Sequence, residues 1–247
     1  MKPFVQCSGI KKSFGSKEVL KGVDLIVEEG KTLVILGGSG SGKSVLLKTI
    51  IGLLKPDSGR IFIEGEDVTD YSEKELLSIR RKISYMFQWG ALFDSMTVFD
   101  NVAFPLREMG VSENEVEERV AEKLSILGLK DAGKLFPQDL SGGMKKRVAL
   151  ARSIISEPKC ILYDEPTAGL DPITANQINK LIRKMQQMLN ITSVVVTHDI
   201  KSMFYVADKV AFLYEGIINF YGDIAEAEKS GSDTLKEFIY GGERNGV

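Results

Sequence analysis

A glycine-rich run between an apolar segment and an amphipathic one constrains this 247-residue chain more than any other feature. Residues 37–44 have the pattern G-x-x-x-x-G-K-S, with Gly37, Gly42, Lys43 and Ser44 at its fixed positions. Glycines let the backbone curl so that successive N–H groups converge on phosphate oxygens, and the positive end of the following helix adds to the attraction. The lysine then reaches the β- and γ-phosphates, and the hydroxyl can bind Mg²⁺. The run therefore predicts a loop that binds ATP or GTP.

The flanks of this run have the periodicity that such a loop requires. Residues 32–36 are apolar and suit a buried parallel strand, while the apolar residues after the loop recur at helical spacing. Strand, loop and helix in this order favour a phosphate loop over an accidental glycine-rich turn. The residues expected to contact nucleotide here are Gly37, Gly38, Ser39, Gly40, Ser41, Gly42, Lys43, Ser44 and Val45.

Composition limits the class of protein. Hydrophobic residues make up 43% and charged residues 27% of the chain, as in soluble globular proteins, and the net charge of −2 gives no basic footprint for nucleic acid. No apolar run approaches the length of a spanning helix, and the N-terminal residues lack the apolar stretch of a signal peptide. Cys7 and Cys160 lie far apart, which favours buried thiols in a reducing cytosol over a disulfide.

Alternating strand and helix patterns indicate an α/β core that is interrupted once. Helical patterns alone fill residues from about 97 to 135, where Ser112 and Glu115 fit a capping box and Pro105 is expected to bend or interrupt a helix. Strand and helix alternate again from Cys160. Strands are predicted at 3–10, 19–27, 32–36, 59–63, 83–87, 160–164, 192–196, 209–214 and 217–221, and helices at 73–82, 173–189 and 200–206.

Polar side chains follow three of the predicted strands. Asp164 and Glu165 end an apolar strand, where an aspartate can hold Mg²⁺ through water and the next carboxylate can polarise an attacking water. Gln88 ends another strand and could reach the metal or the water. His198, the single histidine, could bond the γ-phosphate or could be an ordinary histidine at a strand end. Open α/β sheets bind ligands at this edge, which favours the site.

A second glycine-rich helix start lies in the middle of the chain. Leu140 to Met144 reads Leu-Ser-Gly-Gly-Met and precedes a helical pattern. Ser141 is expected to cap this helix, and Gly142 and Gly143 leave its first N–H groups accessible to an anion. The segment is therefore either a second phosphate site or an ordinary capped helix.

Taken together, these motifs resemble the ABC (ATP-binding cassette) ATPases over essentially the whole chain. The resemblance adds Phe14 as the aromatic that stacks on adenine, and it adds Asp171, in Gly-Leu-Asp, as a further nucleotide-site residue. It implies an α/β fold, a P-loop NTPase core with an antiparallel β subdomain and an inserted α-helical subdomain. It also implies ATP and Mg²⁺ as cofactors. The implied catalytic residues are Glu165, His198 and Gln88, and the implied metal ligands are Ser44, Gln88 and Asp164.

The resemblance also implies an arrangement along the chain and between chains. One ABC ATPase domain is expected over 1–241, its core at about 1–88 and 160–222 and its helical subdomain at about 89–159, with a short helical tail over 223–247. Two copies are expected to pair head to tail. Each nucleotide would then lie between one copy's phosphate loop and the other copy's Ser-Gly-Gly segment, so ATP joins the copies and hydrolysis releases them.

Residues 87–108 resemble, more narrowly, the ATPases of MCE-type lipid transporters, including the bacterial Mla phospholipid system and its mycobacterial and chloroplast relatives. Val45 and Met144 also resemble that group, because the commoner ABC patterns carry threonine and glutamine at these two positions. Met144 lacks the amide of the glutamine, so its side chain is not expected to form that hydrogen bond. This implies lipid transport and an integral MlaE-like permease docked near Trp89–Phe104. An MCE-domain protein and a small STAS-type cytosolic subunit would be further partners, at the cytoplasmic face of the inner membrane.

Other functions fit less well. An importer of amino acids or other small molecules would share the same motifs. A soluble ABC ATPase of DNA repair or translation would need a long coiled-coil insertion or a second cassette. A non-catalytic scaffold conflicts with an intact set of site residues. Trp89 is either a packing anchor or part of a partner groove, and we expect Trp89 and Phe93 to be at least partly exposed.

Overall fold

The computed structural model describes residues 2–244, which form two sheets and a set of helices. Met1 and the last three residues of the predicted tail, 245–247, lie outside the described residues. The strands are Pro3–Phe14 (β1), Lys17–Glu28 (β2), Thr32–Leu36 (β3), Ser58–Ile63 (β4), Glu66–Asp67 (β5), Ile83–Met86 (β6), Cys160–Asp164 (β7), Thr192–Thr197 (β8), Lys209–Tyr214 (β9) and Ile217–Gly222 (β10). The α-helices are Lys43–Ile50 (α1), Glu73–Lys82 (α2), Val98–Glu108 (α3), Glu113–Ile126 (α4), Gly142–Ile154 (α5), Pro172–Leu189 (α6), Ile200–Val206 (α7), Ile224–Lys229 (α8) and Asp233–Arg244 (α9).

The larger sheet has the order β10-β9-β3-β8-β7-β6, and every pair is parallel except β10 with β9. All residues of β3 are buried, and they alternate between two cores because successive side chains point to opposite faces. Leu33 and Ile35 pack with α1 and the smaller sheet, while Val34 and Leu36 pack towards the central helices. The predicted α/β P-loop fold is confirmed.

The register of the parallel strands brings their carboxyl ends to one edge. Leu36 pairs with Thr197, and Asp164 pairs with Val196. The phosphate loop and the residues after β6, β7 and β8 therefore start from neighbouring positions. Short βα connections at this edge form the usual ligand site of open α/β sheets.

The smaller sheet is antiparallel, in the order β2-β1-β4-β5. Its first hairpin is longer than the sequence predicts, because β1 continues to Phe14 and β2 begins at Lys17. The hydrophobic alternation stops near Ile10 while the backbone pairing with β2 continues to Phe14. The two-residue strand β5 is polar and has no periodicity to reveal it.

The central helices differ from the sequence prediction in two details. The helix α3 runs through Pro105 and does not end there, since the N–H of Met109 still bonds the carbonyls of Pro105 and Leu106. The predicted capping box is wrong: α4 begins after Ser112, but among the described residues that hydroxyl caps no backbone N–H. Glu115 pairs instead with Arg119, one turn along, at 3.1 Å.

Cys7 and Cys160 are free and buried, as predicted. Within residues 2–244, no helix combines the length and the apolar character needed to cross a bilayer.

Candidate nucleotide-binding site

The phosphate loop leaves β3 and closes on the N-terminus of α1. Gly37 is required because a Cβ there would lie 2.5 Å from the carbonyl oxygen of Leu213, and Gly42 precedes the helix at a φ of 104°, which favours glycine. The ammonium of Lys43 turns back over the loop and donates to the carbonyls of its first two glycines at 2.8 and 3.0 Å. Within residues 2–244 the buried hydroxyl of Ser41 has no hydrogen-bond partner.

Oxygen ligands for a cation lie beside the loop. The hydroxyl of Ser44 donates to one carboxylate oxygen of Asp164 at 2.7 Å, and Tyr85 donates to the other at 2.8 Å. Hydroxyl and carboxylate oxygens are the ligands that Mg²⁺ prefers, so these residues fit a Mg²⁺ site. Among the described residues, no three His, Cys, Asp or Glu side chains form a metal cage. Mg²⁺ usually keeps several waters and binds substrate phosphates, and these oxygens would complete the shell.

Glu165 occupies the centre of the polar cluster. One carboxylate oxygen lies 3.4 Å from the ammonium of Lys43, and the other lies 3.0 Å from Nδ1 of His198. Its backbone is left-handed, with a φ of 47°, a conformation that costs a non-glycine residue on the order of 1 kcal/mol and recurs at functional sites. A hydrogen bond from its N–H to the carbonyl of Val196, at 3.0 Å, ties it to the next strand.

One open cavity of about 760 Å³ joins these parts, a size that suits a nucleotide. It brings together most of the predicted residues: the aromatic at the end of β1, the loop, and the three side chains that follow β6, β7 and β8. The lining residues are Phe14, Lys17, Val19, Gly38, Ser39, Gly40, Gly42, Lys43, Ser44, Val45, Gln88, Glu165, His198, Ile200 and Phe238.

The second glycine-rich segment and Asp171 are absent from this lining within the described chain, as are Gly37, Ser41 and Asp164. Ser141 caps α5 by accepting the N–H of Met144 at 3.3 Å, and Asp171 caps α6 by accepting two backbone N–H groups at 3.0 Å. The two caps are neighbours, because a Cβ on Gly143 would lie 2.5 Å from the methyl group of Thr174 in α6. In a single chain, Ser141 and Asp171 are exposed and serve as helix caps, while Gly143 is buried between the two helices.

A protein-family model described as ABC transporter matches residues 20–168, from β2 through the phosphate loop to just beyond Glu165. This chain belongs to the ABC transporter family. The ABC ATPase family that the sequence motifs predict is confirmed, and ATPases of this family bind ATP.

Curated relatives of this ABC ATPase include proteins with different names. The probable ribonucleotide transport ATP-binding protein mkl of Mycobacterium tuberculosis is 40% identical over 96% of this chain and 66% of its own length. The methionine import ATP-binding protein MetN of Carboxydothermus hydrogenoformans is 44% identical over 83% of this chain and 61% of its own length. Protein TRIGALACTOSYLDIACYLGLYCEROL 3, chloroplastic, of Arabidopsis thaliana is 40% identical over 96% of this chain and 73% of its own length. The chain thus spans less than two thirds of the length of several relatives.

Solved structures share the fold closely. The cbiO1 protein of Clostridium perfringens, part of the ABC transporter complex cbiONQ, has a TM-score of 0.85 and 34% identity, over 96% of this chain and 95% of that chain. The ATP-binding cassette MJ0796, in a dimeric post-hydrolysis state bound to ADP and Pi, has a TM-score of 0.82 and 34% identity, over 89% of this chain and 98% of that chain.

The segment after Gln88 carries exposed aromatic side chains in this ABC ATPase. Trp89 is 75% exposed and Phe93 is 42% exposed, which confirms the predicted exposure of both. The backbone of Phe93 is fixed by two hydrogen bonds with the buried amide of Asn101, at 2.8 and 3.0 Å. The aromatics therefore project from an ordered segment.

Three residues near the site carry no recognisable sequence signal. Tyr85 points from β6 to Asp164, and burial followed by the nearby carboxylate raises the pKa of its hydroxyl, so it remains a donor. Phe238 reaches the cavity from α9, far along the chain. Lys146, in α5, donates to the backbone carbonyls of Gln88 and Glu165. Only tertiary packing brings these residues to the site.

Proposed function

We propose that this ABC ATPase binds ATP between two copies of the chain, hydrolyses it, and so drives a membrane permease. The observation that carries this proposal is the position of Glu165, which contacts both Lys43 of the phosphate loop and His198 in a cavity that Ser44 also lines. Ser44 in turn donates to Asp164 at 2.7 Å. The dimeric relative bound to ADP and Pi supports the same arrangement here. The subdomain bounds given above and the role of each site residue are part of this proposal.

Glu165 is the proposed general base. The water oxygen bonds the γ-phosphorus while the bond to the bridging β-oxygen breaks, giving ADP and phosphate, and Glu165 accepts the water's proton. His198 orients the carboxylate through the 3.0 Å contact, and Lys43 offsets phosphate charge. Ser44, Asp164 and Gln88 would hold Mg²⁺, which neutralises phosphate charge when bound. Positioning and charge stabilisation supply most of the rate in phosphoryl transfer.

The composite site gives a direct test. Lys43→Ala and Ser141→Arg should each be inactive alone, because each damages both sites of a symmetric dimer. Mixing the two variants in equal amounts should restore hydrolysis to at most about one half of the wild-type rate, since each mixed dimer contains one intact site and one doubly damaged site. Phosphate release after mixing is the measurement.

Two controls sharpen this test. Lys43→Ala mixed with the Lys43→Ala, Ser141→Arg double variant leaves no intact site and should stay inactive. Ser141→Asp keeps the oxygen that caps α5 but places a negative charge towards phosphate, so it should also be inactive. Full activity of Ser141→Arg alone would show that Ser141 is only a helix cap.

We further propose that the cargo is a phospholipid or related lipid, moved by an MCE-type transporter. Support comes from Val45, Met144 and the segment 87–108, all in the pattern of that group, and from the 40% identity to a chloroplast protein named for a galactolipid. The chain would then sit at the cytoplasmic face of the inner membrane with an MlaE-like permease, an MCE-domain protein and a STAS-type subunit. Import of another solute is the second candidate, because the MetN relative is 44% identical.

Co-purification distinguishes the lipid proposal from the solute-import proposal. Tagged chain is isolated from detergent-solubilised membranes of its own cells, and mass spectrometry identifies the associated proteins and lipids. An integral membrane permease together with an MCE-domain protein and enriched phospholipid is the expected result. A permease accompanied by a solute-binding protein would replace the lipid proposal with the importer.

A further inference from the structure

One face of α5 lies along the segment that follows β6. Lys146, Ala149 and Arg152 are spaced three residues apart and so share a side of the helix. A Cβ on Gly90 would lie 3.3 Å from the side chain of Ala149, so the backbones approach closely here. The guanidinium of Arg152 donates to the carbonyl of Gly90 at 2.6 Å and lies 5.8 Å from the ring centre of Phe93. The helix that begins at Ser141 is thus fastened along its length to the neighbourhood of Gln88.

Lys146 makes the contact nearest the reaction centre. Its side chain is only 4% exposed, and its ammonium donates to the carbonyl oxygen of Gln88 and, at 3.3 Å, to that of Glu165. Burial lowers the pKa of Lys146 to about 8, and the carboxylates of Glu165 and Asp164 oppose that fall. A buried cation is costly unless it has polar partners, and Lys146 has the two carbonyl oxygens as its partners. Lys146 is therefore a buried residue with defined contacts and not a solvated surface lysine.

The two carbonyls that Lys146 binds belong to the residues whose side chains line the γ-phosphate end of the proposed site. Glu165 is left-handed, so its carboxylate keeps its place only while the surrounding bonds hold the backbone there. Gln88 lies in a tight turn, in which the N–H of Gly90 bonds the carbonyl of Phe87 at 2.8 Å and Gly90 has a φ of 79°. A single donor that bonds both backbones fixes their separation.

We propose that Lys146 is a positioning residue for ATP hydrolysis, which holds the backbones of Gln88 and Glu165 in register with each other and with the helix that begins at Ser141. A shift of α5 would then be passed to both residues together. Lys146 does not itself contact nucleotide, and its role rests on the proposed function of Glu165 as general base.

Lys146→Met tests this role, because it keeps an unbranched apolar stem of similar length and removes the ammonium. The turnover number should fall by about 10- to 100-fold, the loss expected when reacting groups are misplaced by a fraction of an ångström to 1 Å. The dissociation constant for ATP should stay within about threefold of wild type, since the phosphate loop is untouched. Both are measured on the full chain, by phosphate release and by equilibrium binding.

Arg147→Met is the matched control. It removes one positive charge from the same helix, and Arg147 likewise donates to two carbonyls, those of Leu127 and Gly128, but away from the nucleotide cavity. Its turnover should stay within about threefold of wild type, by the usual limits of a substitution outside the site. Thermal unfolding of both variants is followed in parallel. If Lys146→Met does not fold, Lys146→Gln is judged by the same criteria.

The outcomes separate this inference from the proposed function. Equal turnover in wild type and Lys146→Met would overturn the positioning role alone, as would an equal fall in Lys146→Met and Arg147→Met. A joint loss of ATP affinity and turnover in Lys146→Met would also overturn it. Absence of hydrolysis by the wild type would instead remove the proposed function.

Discussion

Glu165→Gln should bind ATP and fail to hydrolyse it. The amide has the size of the carboxylate but cannot accept the water's proton, and loss of a positioned base typically lowers the rate by ~10²–10⁴. Glu165 faces both Lys43 and His198, so the replaced group is the one closest to the proposed reaction. Because hydrolysis is proposed to release the paired copies, the variant should accumulate as a dimer with ATP and Mg²⁺.

Phosphate release gives the turnover, and size-exclusion chromatography with and without ATP gives the state of association. Lys43→Ala should behave differently, since it removes the ammonium of the phosphate loop and so weakens nucleotide binding itself. That variant should stay monomeric with ATP. Wild-type turnover in Glu165→Gln would exclude this carboxylate as the general base.

The parts of the site that the sequence reveals are those that depend on local chain chemistry. The phosphate loop needs glycines at fixed spacing and a helix start, and each requirement is visible within eight residues. The side chains after β6, β7 and β8 are predictable as a group because parallel strands deliver their carboxyl ends to one edge. Phe14, by contrast, rests on resemblance to a family, although the structure does place it on the cavity.

The parts that the sequence does not reveal depend on tertiary packing. Lys146 follows the Ser-Gly-Gly segment like an ordinary solvated lysine, but in the folded chain it is buried and donates to the carbonyls of Gln88 and Glu165. The capping box at Ser112 shows the reverse error. The Ser112–Glu115 pattern is present in the sequence, but the carboxylate of Glu115 forms an ion pair with Arg119 in place of the capping box. Pairing of exposed polar residues also extends β1 beyond the point at which hydrophobic alternation ends.

Trp89→Asp and Phe93→Asp should each abolish association with the permease while the fold and ATP binding persist. Trp89 is 75% exposed and Phe93 is 42% exposed, and both follow Gln88 within five residues, where a nucleotide-dependent movement could reach a docked helix. Aromatic side chains at the centre of an interface commonly contribute at least 2 kcal/mol, about a 30-fold change in affinity. An aspartate in the same place would add the cost of burying an unpaired charge. Co-purification from detergent-solubilised membranes is the measurement.

Met188→Asp is the matched control, because it makes the same kind of change at an apolar side chain that is 56% exposed. Met188 lies near the end of α6, where Gln186 bonds Gly30 at the opposite edge of the sheet from the nucleotide, so the substitution should leave co-purification unchanged.

The exposure of Trp89 has a second explanation, since its ring lies beside Gly169 in the turn before Asp171. Loss of ATP-driven dimerisation with the permease still bound would show that Trp89 serves that turn, and that the docking surface lies elsewhere.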